Sequence, residues 1–425
     1  MNLPVEIHTA QGWRLIGNWS IDPNALFRID APERWSYDMD WALEHLDAPW
    51  ASVSLALPLS LDSTHLSHWP AFLLDLLPAG QAREQWLEYL QIPNGKEADG
   101  PLLLHAGRAP VGNLRLAHAR DWKPEAVRGF PRAEVLAQGS AFLEYMRKVQ
   151  LQECQTGNDS PYSAADTQGA APKYLLTQDR EGLWWAEGTL PDAQAAAFWL
   201  LKYPRGNSER DRLVLRSEAP SLEIARSWGL RCGQPLLWER DILFVPRFDR
   251  LVSEQGVRRL GLESLCSALG VAEFGHEFSH LELCAAIMRF SSRPEEDLLE
   301  YLGRDVLNLA LANTDNHARN TAFLKDGSEV RLSPLFDLCP MELDPIGVSR
   351  ACRWPGEGHL RPDWRLVTDS VKQWITPETV RNRFRELAAK VRGLPETAHR
   401  CGLPAEVAAH CHPRWDSLAG DLEAT

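Results

Sequence analysis

The sequence predicts an α+β chain in two parts, the first carrying the strands and the second almost entirely helical. Three observations carry that expectation. Apolar and polar residues alternate over 5–8, 13–19 and 52–57, the two-residue period of a half-buried strand. Beyond Leu262 the period changes, and residues 277–290 and 295–313 carry apolar side chains three and four apart, as a helix with one buried face requires. The second of these helical stretches runs into 311–337, LANTDNHARNTAFLKDGSEVRLSPLFD, which sets Asp315, His317 and Asn320 in one short loop and a further acid, Asp337, a hairpin's length downstream.

A chain of 425 residues has room for two or three domains with substantial cores, and we expect divisions at 1–125, 126–250 and 251–425. Its 44% apolar and 24% charged composition is that of a globular protein. No apolar run is long enough to cross a bilayer, and the first residues, MNLPVEIHTAQGW, lack the basic start and apolar core of a signal peptide. A cytoplasmic protein without membrane contact is expected. Eight cysteines are scattered without a C-x-x-C pair, which fits reduced thiols. Cys401, His410, Cys411 and His412 cluster near the C-terminus, but their spacing matches no familiar zinc pattern. The net charge of −13 has the wrong sign for a surface that grips nucleic acid.

Taken in order, residues 1–121 form a small sheet, with 63–90 expected as helix from the apolar face of Leu73, Leu74, Leu77, Trp86 and Leu87, interrupted by Pro78 and Gly80. Residues 112–116 return to strand. A packing helix follows within 131–155. Residues 156–169, TGNDSPYSAADTQG, form a small-residue loop leading into the strand APKYLL, the arrangement that lets backbone amides cover a phosphate. The strand FWLLKY then ends in Lys202 before Pro204, where a lysine can reach the α and β phosphates. A helix over RSEAPSLEIA carries Glu218 and Glu223, its start clouded by Pro220. Residues 241–248 are a strand, and Arg247 and Asp249 read as a surface pair. Residues 346–355, with Arg350 and Arg353, follow Asp337 and either meet a substrate phosphate or acid or form a solvated loop. A last amphipathic helix spans 376–391 with Pro377 in its first turn.

The loop has the composition of a phosphoryl-transfer site. Such chemistry needs one carboxylate to orient and deprotonate the attacking hydroxyl, and oxygen ligands to hold magnesium against the phosphates. Asp315 and Asn320 are separated by four residues, as the loop acid and loop amide of protein kinases are, and Asp337 supplies the later acid. His317 either contacts Asp315 or buttresses the loop. Oxygen donors suit magnesium, whereas zinc would call for His and Cys.

The pattern N-T-D-x-H-x-x-N, a hairpin, then L-S-P-L-F-D resembles the HipA-like serine/threonine kinases, toxin components of bacterial toxin-antitoxin modules. VPRFDR at 245–250, ESLCSALG at 263–270, GAAPK at 169–173 and the N-terminal SLALPL and FLLDLLPAG extend the likeness over nearly the whole chain. The resemblance implies a two-lobed, protein-kinase-like fold, an N-terminal subdomain and strand-bearing small lobe followed by a helical large lobe. It further implies ATP and Mg²⁺ as cofactors, with Gly169, Ala170 and Lys173 in the phosphate loop, Lys202 paired with Glu218, and Val245, Arg247 and Phe248 in the hinge at the adenine. Because Pro246 has no N–H, Val245 or Arg247 would supply that amide. Asp315 and His317 would be catalytic, and Asn320 and Asp337 would hold the metal. A translation component such as an aminoacyl-tRNA synthetase is the implied substrate, and a HipB-like DNA-binding antitoxin the implied partner. Asp166 stands where family members often carry an autophosphorylated serine, which together with Ala171 and Pro246 leaves room for a nucleotide-binding regulatory module without turnover. A metal-dependent nuclease would use the same acids, but would need a basic groove.

Overall fold

The computed structural model of the protein describes residues 2–21, 28–106, 111–117, 127–137, 142–146, 173–358 and 360–425. Gly169 and Ala170, with Asp166 and the rest of the small-residue loop, lie outside the described residues. The chain packs as two compact units, Met1–Arg205 with Ile242–Phe274 and Leu324–Ser328, and Gly206–Asp241 with Gly275–Phe323 and Glu329–Thr425.

The first unit contains an antiparallel sheet of β1 (Asn2–Thr9), β2 (Gly12–Ser20), β3 (Glu33–Tyr37), β4 (Thr64–Leu66) and β5 (Leu114–Leu116), in the order β4-β3-β2-β1-β5. Gly12 closes the β1–β2 turn at φ 97°, a conformation that favours glycine. Val5, Ile16, Trp19 and Trp35 bury one face against Phe72, Leu73 and Leu77. The stretch expected as one helix over 63–90 is instead β4, a 3-10 turn at Ala71–Leu76 and a helix at Gly80–Leu90. Pro78 accounts for the break, since its ring cannot continue a helix and bars the preceding residue from helical geometry. Residues 52–57 likewise form no ladder strand, only an isolated Ser54–Leu57 bridge. Their polar groups turn to a carboxylate instead, Ser54 Oγ and Leu55 N donating to Glu263 at 2.5 and 3.0 Å.

A second sheet in this unit is formed by β6 (Lys173–Asp179), β7 (Trp184–Ala186) and β8 (Ala195–Lys202), with the strand Ile242–Pro246 on the far side of β8. Beside it lies a buried charge network. Arg247 Nη1 donates to Glu187 at 2.6 Å, Arg250 reaches Asp249 at 2.8 Å and Gly112 O at 2.7 Å, and Gly112 N donates to Asp249 at 2.7 Å. The pair expected at the surface is therefore internal, the Arg247 and Asp249 side chains being 4% and 3% exposed. Burial alone would raise the Asp249 carboxyl, but Arg247 and Arg250 carry it well below the usual carboxylate range. Burial, with Arg247 alongside, pushes Arg250 down to about 10.

The second unit is mainly helical. The helices are Glu209–Arg216, Glu218–Ser227, His280–Phe290, Pro294–Ala310, Trp364–Val371, Pro377–Arg392, Leu394–Arg400 and Ala405–Glu423. Their starts follow the sequence closely. Ser279 and Glu282 form a reciprocal capping box, and Pro294 and Pro377 occupy first-turn positions where no N–H partner is missed. No helix among the described residues is long and apolar enough to cross a membrane.

Lys325 lies in a buried site of the first unit, donating to Glu263 at 3.1 Å and to Ser52 O at 3.0 Å. Removing the acid would strand an ammonium where both side chains are 3% exposed. Glu263→Ala is expected to cost about 3–5 kcal/mol in urea unfolding, and Glu263→Leu with Lys325→Met to recover part of it. Equal losses in the single and double variants would show that the pair is not what the site depends on.

Candidate active site

The long helix Pro294–Ala310 stops two residues short of the loop that carries Asp315, His317 and Asn320. Ala312 turns left-handed at φ 57°, Asn313 N donates to Asn308 O at 2.8 Å and Ala312 N to Leu309 O at 3.4 Å, the paired bonds of a Schellman end. The expected helix to Asn313 is thereby ended in a manner usually left to glycine. Its consequence is a loop launched from a fixed point. Asn313 then uses both ends of its amide, Nδ2 donating to Asn308 Oδ1 at 2.9 Å and Oδ1 accepting Asp315 N at 3.1 Å.

Asp315 is tied forward as well. Its carbonyl accepts Asn320 Nδ2 at 2.8 Å, which leaves the amide oxygen of Asn320 as the end available to a cation. His317 Nε2 stands 3.4 Å from Asp315 Oδ1, with both side chains about a third exposed. The hairpin Ala322–Lys325 and Val330–Leu332, turning at Gly327, brings the chain back to Leu335, whose N donates to Arg231 O at 2.7 Å. Two residues later Asp337 adopts φ 55°, a conformation that aspartate tolerates better than most residues. Asp315, Asn320 and Asp337 line one cavity of about 20 Å³ with Thr321 and Phe336. That is room for a single water or ion.

A shell of buried polar groups holds this loop to the segment that follows it. Asn316 Oδ1 accepts Ala351 N and Cys352 N at 2.9 and 3.1 Å, while Nδ2 donates to Cys352 O at 2.9 Å. Arg350, expected to meet a substrate phosphate or acid, is enclosed instead, its side chain 1% exposed. It donates to Asp305 at 2.9 Å and to Glu357 at 2.7 Å. Trp354 Nε1 also donates to Asp305, at 2.8 Å, and the Trp354 ring stacks on His280 at 4.7 Å. His280 Nε2 faces the Arg350 guanidinium at 2.9 Å, so that nitrogen must accept, and Nδ1 then donates to Tyr301 OH at 2.6 Å. Burial lowers the imidazole to about 4, outweighing the pull of Asp305, so His280 is neutral.

The remaining expected residues are divided between the units. Lys202 is buried at the end of β8, in register with Lys173 on one side and Leu243 on the other. Arg247 N donates to Phe198 O at 2.9 Å, and Val245, two residues earlier on the same edge, faces Leu200. Neither residue turns an amide toward a hinge ligand, and the Arg247 guanidinium is already enclosed by Glu187 and Asp249. The expectation that Arg247 contacts nucleotide is corrected on both counts. In the second unit Glu218 opens its helix 1% exposed and accepts the Cys339 thiol at 3.6 Å, Pro220 falling in the first turn without harm. Glu223 is more exposed and sits 3.4 Å from Arg226. His280, Asp305, Asn316 and Glu357 escaped the sequence reading, since they are recognisable only by the segment they bind.

These two units carry the α+β, kinase-like fold. The chain belongs to the family defined by the HipA-like C-terminal domain, which matches residues 165–394, and a HipA N-terminal domain precedes it at 25–117. Y4mE of Sinorhizobium fredii, a protein provisionally named a kinase, is 32% identical over 193 residues, and the match spans 41% of each chain, about two fifths of that relative's length. The HipA chain in a Shewanella oneidensis MR-1 complex of HipA, HipB and operator DNA superposes with a TM-score of 0.67 at 17% identity, covering 99% of this chain and 97% of that one. This likeness establishes a shared fold.

The neutral His280 makes stability depend on pH in a stated direction. Its folded pKa lies below the unfolded value near 6.5, so the unfolded chain binds the extra proton and stability falls as pH drops from about 6.5 to about 4. The expected loss over that window is roughly 2–3 kcal/mol, read by urea unfolding at stepped pH. His280→Asn should lower stability at neutral pH but flatten this slope; an unchanged slope would assign the effect to other groups.

Proposed function

We propose that the chain is an ATP- and magnesium-dependent serine/threonine protein kinase of the HipA type. The observation that carries this reading is the convergence of Asp315, Asn320 and Asp337 on one ion-sized cavity. Among the described residues no three His, Cys, Asp or Glu side chains form a metal cluster. Magnesium does not need one, since it keeps several waters and takes only one or two protein oxygens beside substrate phosphates. Asn320 Oδ1 and the Asp337 carboxylate fit that donor set. Magnesium, when bound, would neutralise charge on the transferring phosphate.

Asp315 lies on the same cavity, fixed at its amide and its carbonyl, and would accept the proton of the substrate hydroxyl. His317, close to its carboxylate, would steady it. In the first unit Lys202 would reach the α and β phosphates, and Gly169, Ala170 and Lys173 would supply the phosphate loop. The adenine would be held by apolar contact at Val245 and Phe248 and by the Pro246 carbonyl, which a proline retains. The HipA, HipB and DNA complex supports a HipB-like DNA-binding antitoxin as partner. A translation component, such as an aminoacyl-tRNA synthetase, is the proposed substrate, and the cytoplasm the proposed site of action.

Radiolabel transfer from ATP to an acceptor protein tests the assignment. Asp315→Asn should lower the rate by at least about 100-fold, the typical contribution of a positioned base, with nucleotide binding retained. Asp337→Asn should chiefly raise the magnesium and ATP concentrations needed. Equal labelling by wild type and both variants would overturn the assignment, and nucleotide binding without transfer would mark a regulatory module instead.

A further inference from the structure

The C-terminal helix Ala405–Glu423 carries His410, Arg414, Leu418 and Asp421 at intervals of three and four, and so on one face. With the turn through Arg361 and Pro362, this face encloses a cavity of about 340 Å³, within the range of small-molecule sites and lined by none of the phosphoryl-transfer residues. Its apolar wall includes Leu309, Trp364 and Leu418. Its polar wall has donors in excess. Arg361 uses two of its five N–H groups on Asp421, at 2.8 and 2.9 Å. Arg414 uses one of five, on Glu342 Oε2 at 2.5 Å, and His410 Nε2 meets the same oxygen at 2.6 Å. Trp364 is 2% exposed and its indole N–H has no hydrogen-bond partner.

An acceptor-rich ligand answers that imbalance better than a cation, since the Asp421 and Glu342 carboxylates already face Arg361 and Arg414. We propose that this cavity binds a small anion with an apolar body, a carboxylate or a phosphate monoester, its charge held by Arg414 and Arg361 and its body by Trp364, Leu309 and Leu418. The cavity adjoins the catalytic loop through the backbone. Glu342 N donates to Ala312 O at 3.0 Å, and Trp415 Nε1, beside Arg414, donates to Ala310 O at 2.8 Å. An anion that draws Arg414 from Glu342 therefore acts one hydrogen bond away from the turn that launches Asp315.

Isothermal titration of the full chain with phenyl phosphate, benzoate, inorganic phosphate and benzylamine tests the site without any reliance on kinase activity. Phenyl phosphate or benzoate should bind at least tenfold more tightly than benzylamine and inorganic phosphate, the tighter of the two naming the headgroup, and a saturating ATP analogue should not displace it. Arg414→Gln should weaken binding about tenfold, and Leu418→Trp should abolish it by filling the cavity. Arg361→Gln, at a position whose side chain is 67% exposed, gives a variant that folding does not depend on and should weaken binding several-fold. Absence of anion binding by wild type, displacement by the ATP analogue, or unchanged affinity in the folded variants would each overturn the proposal.

Discussion

A single buried guanidinium organises the second unit. Arg350 has almost no contact with water, and its partners come from separate elements, Asp305 from the long helix, His280 from the helix before it and Glu357 from the turn that follows. An unpaired charge in such a place costs several kcal/mol. The chain around Arg350 therefore has one place to lie. Asn316, next to Asp315, ties its loop to that fixed stretch through Ala351 and Cys352. Position is thus passed from a charge pair to a loop, and from the loop to the group that would perform chemistry.

The loop itself shows how irregular backbone is held. Around Asp315 asparagine side chains supply the backbone's partners, Asn313 behind it and Asn320 in front of it. Left-handed backbone at Ala312 and Asp337 stores strain on both sides of the cavity. Strain of this kind persists only where surrounding structure enforces it, and here a Schellman end and the buried Arg350 cluster do so. Phosphoryl transfer asks chiefly for such positioning.

Much of this was legible in the chain, for identifiable reasons. Alternation marked β1 and β2, a short apolar run marked β8, and the three- and four-residue spacing marked the helices, because periodicity reports which face is buried. The spacing of Asp315, Asn320 and Asp337 marked three side chains that line one cavity, because chemistry constrains residue type as well as distance. Periodicity does not report partners. Arg247 and Asp249 look like any exposed pair until Glu187 and Arg250 close around them, and Arg350 looks like a phosphate contact until Asp305 is found beneath it. The 52–57 stretch alternates like a strand, yet a carboxylate distant in sequence takes the hydrogen bonds a neighbouring strand would have made. Pro78 is visible in the 63–90 stretch, but the apolar residues on either side of it keep helical spacing, so the break does not show as a change of period.

The proposed chemistry needs Asn320 Oδ1 and the Asp337 carboxylate to serve one ion and the Asp315 carboxylate to serve one hydroxyl. The most direct test is a crystal structure of the chain with Mn²⁺ and a non-hydrolysable ATP analogue, reading the metal from its anomalous signal. The expected result is a peak within direct ligand distance of Asn320 Oδ1 and the Asp337 carboxylate, with the Asp315 carboxylate facing the terminal phosphate. A manganese peak bound elsewhere, or nucleotide bound with Asp315 turned away from its phosphates, would contradict it.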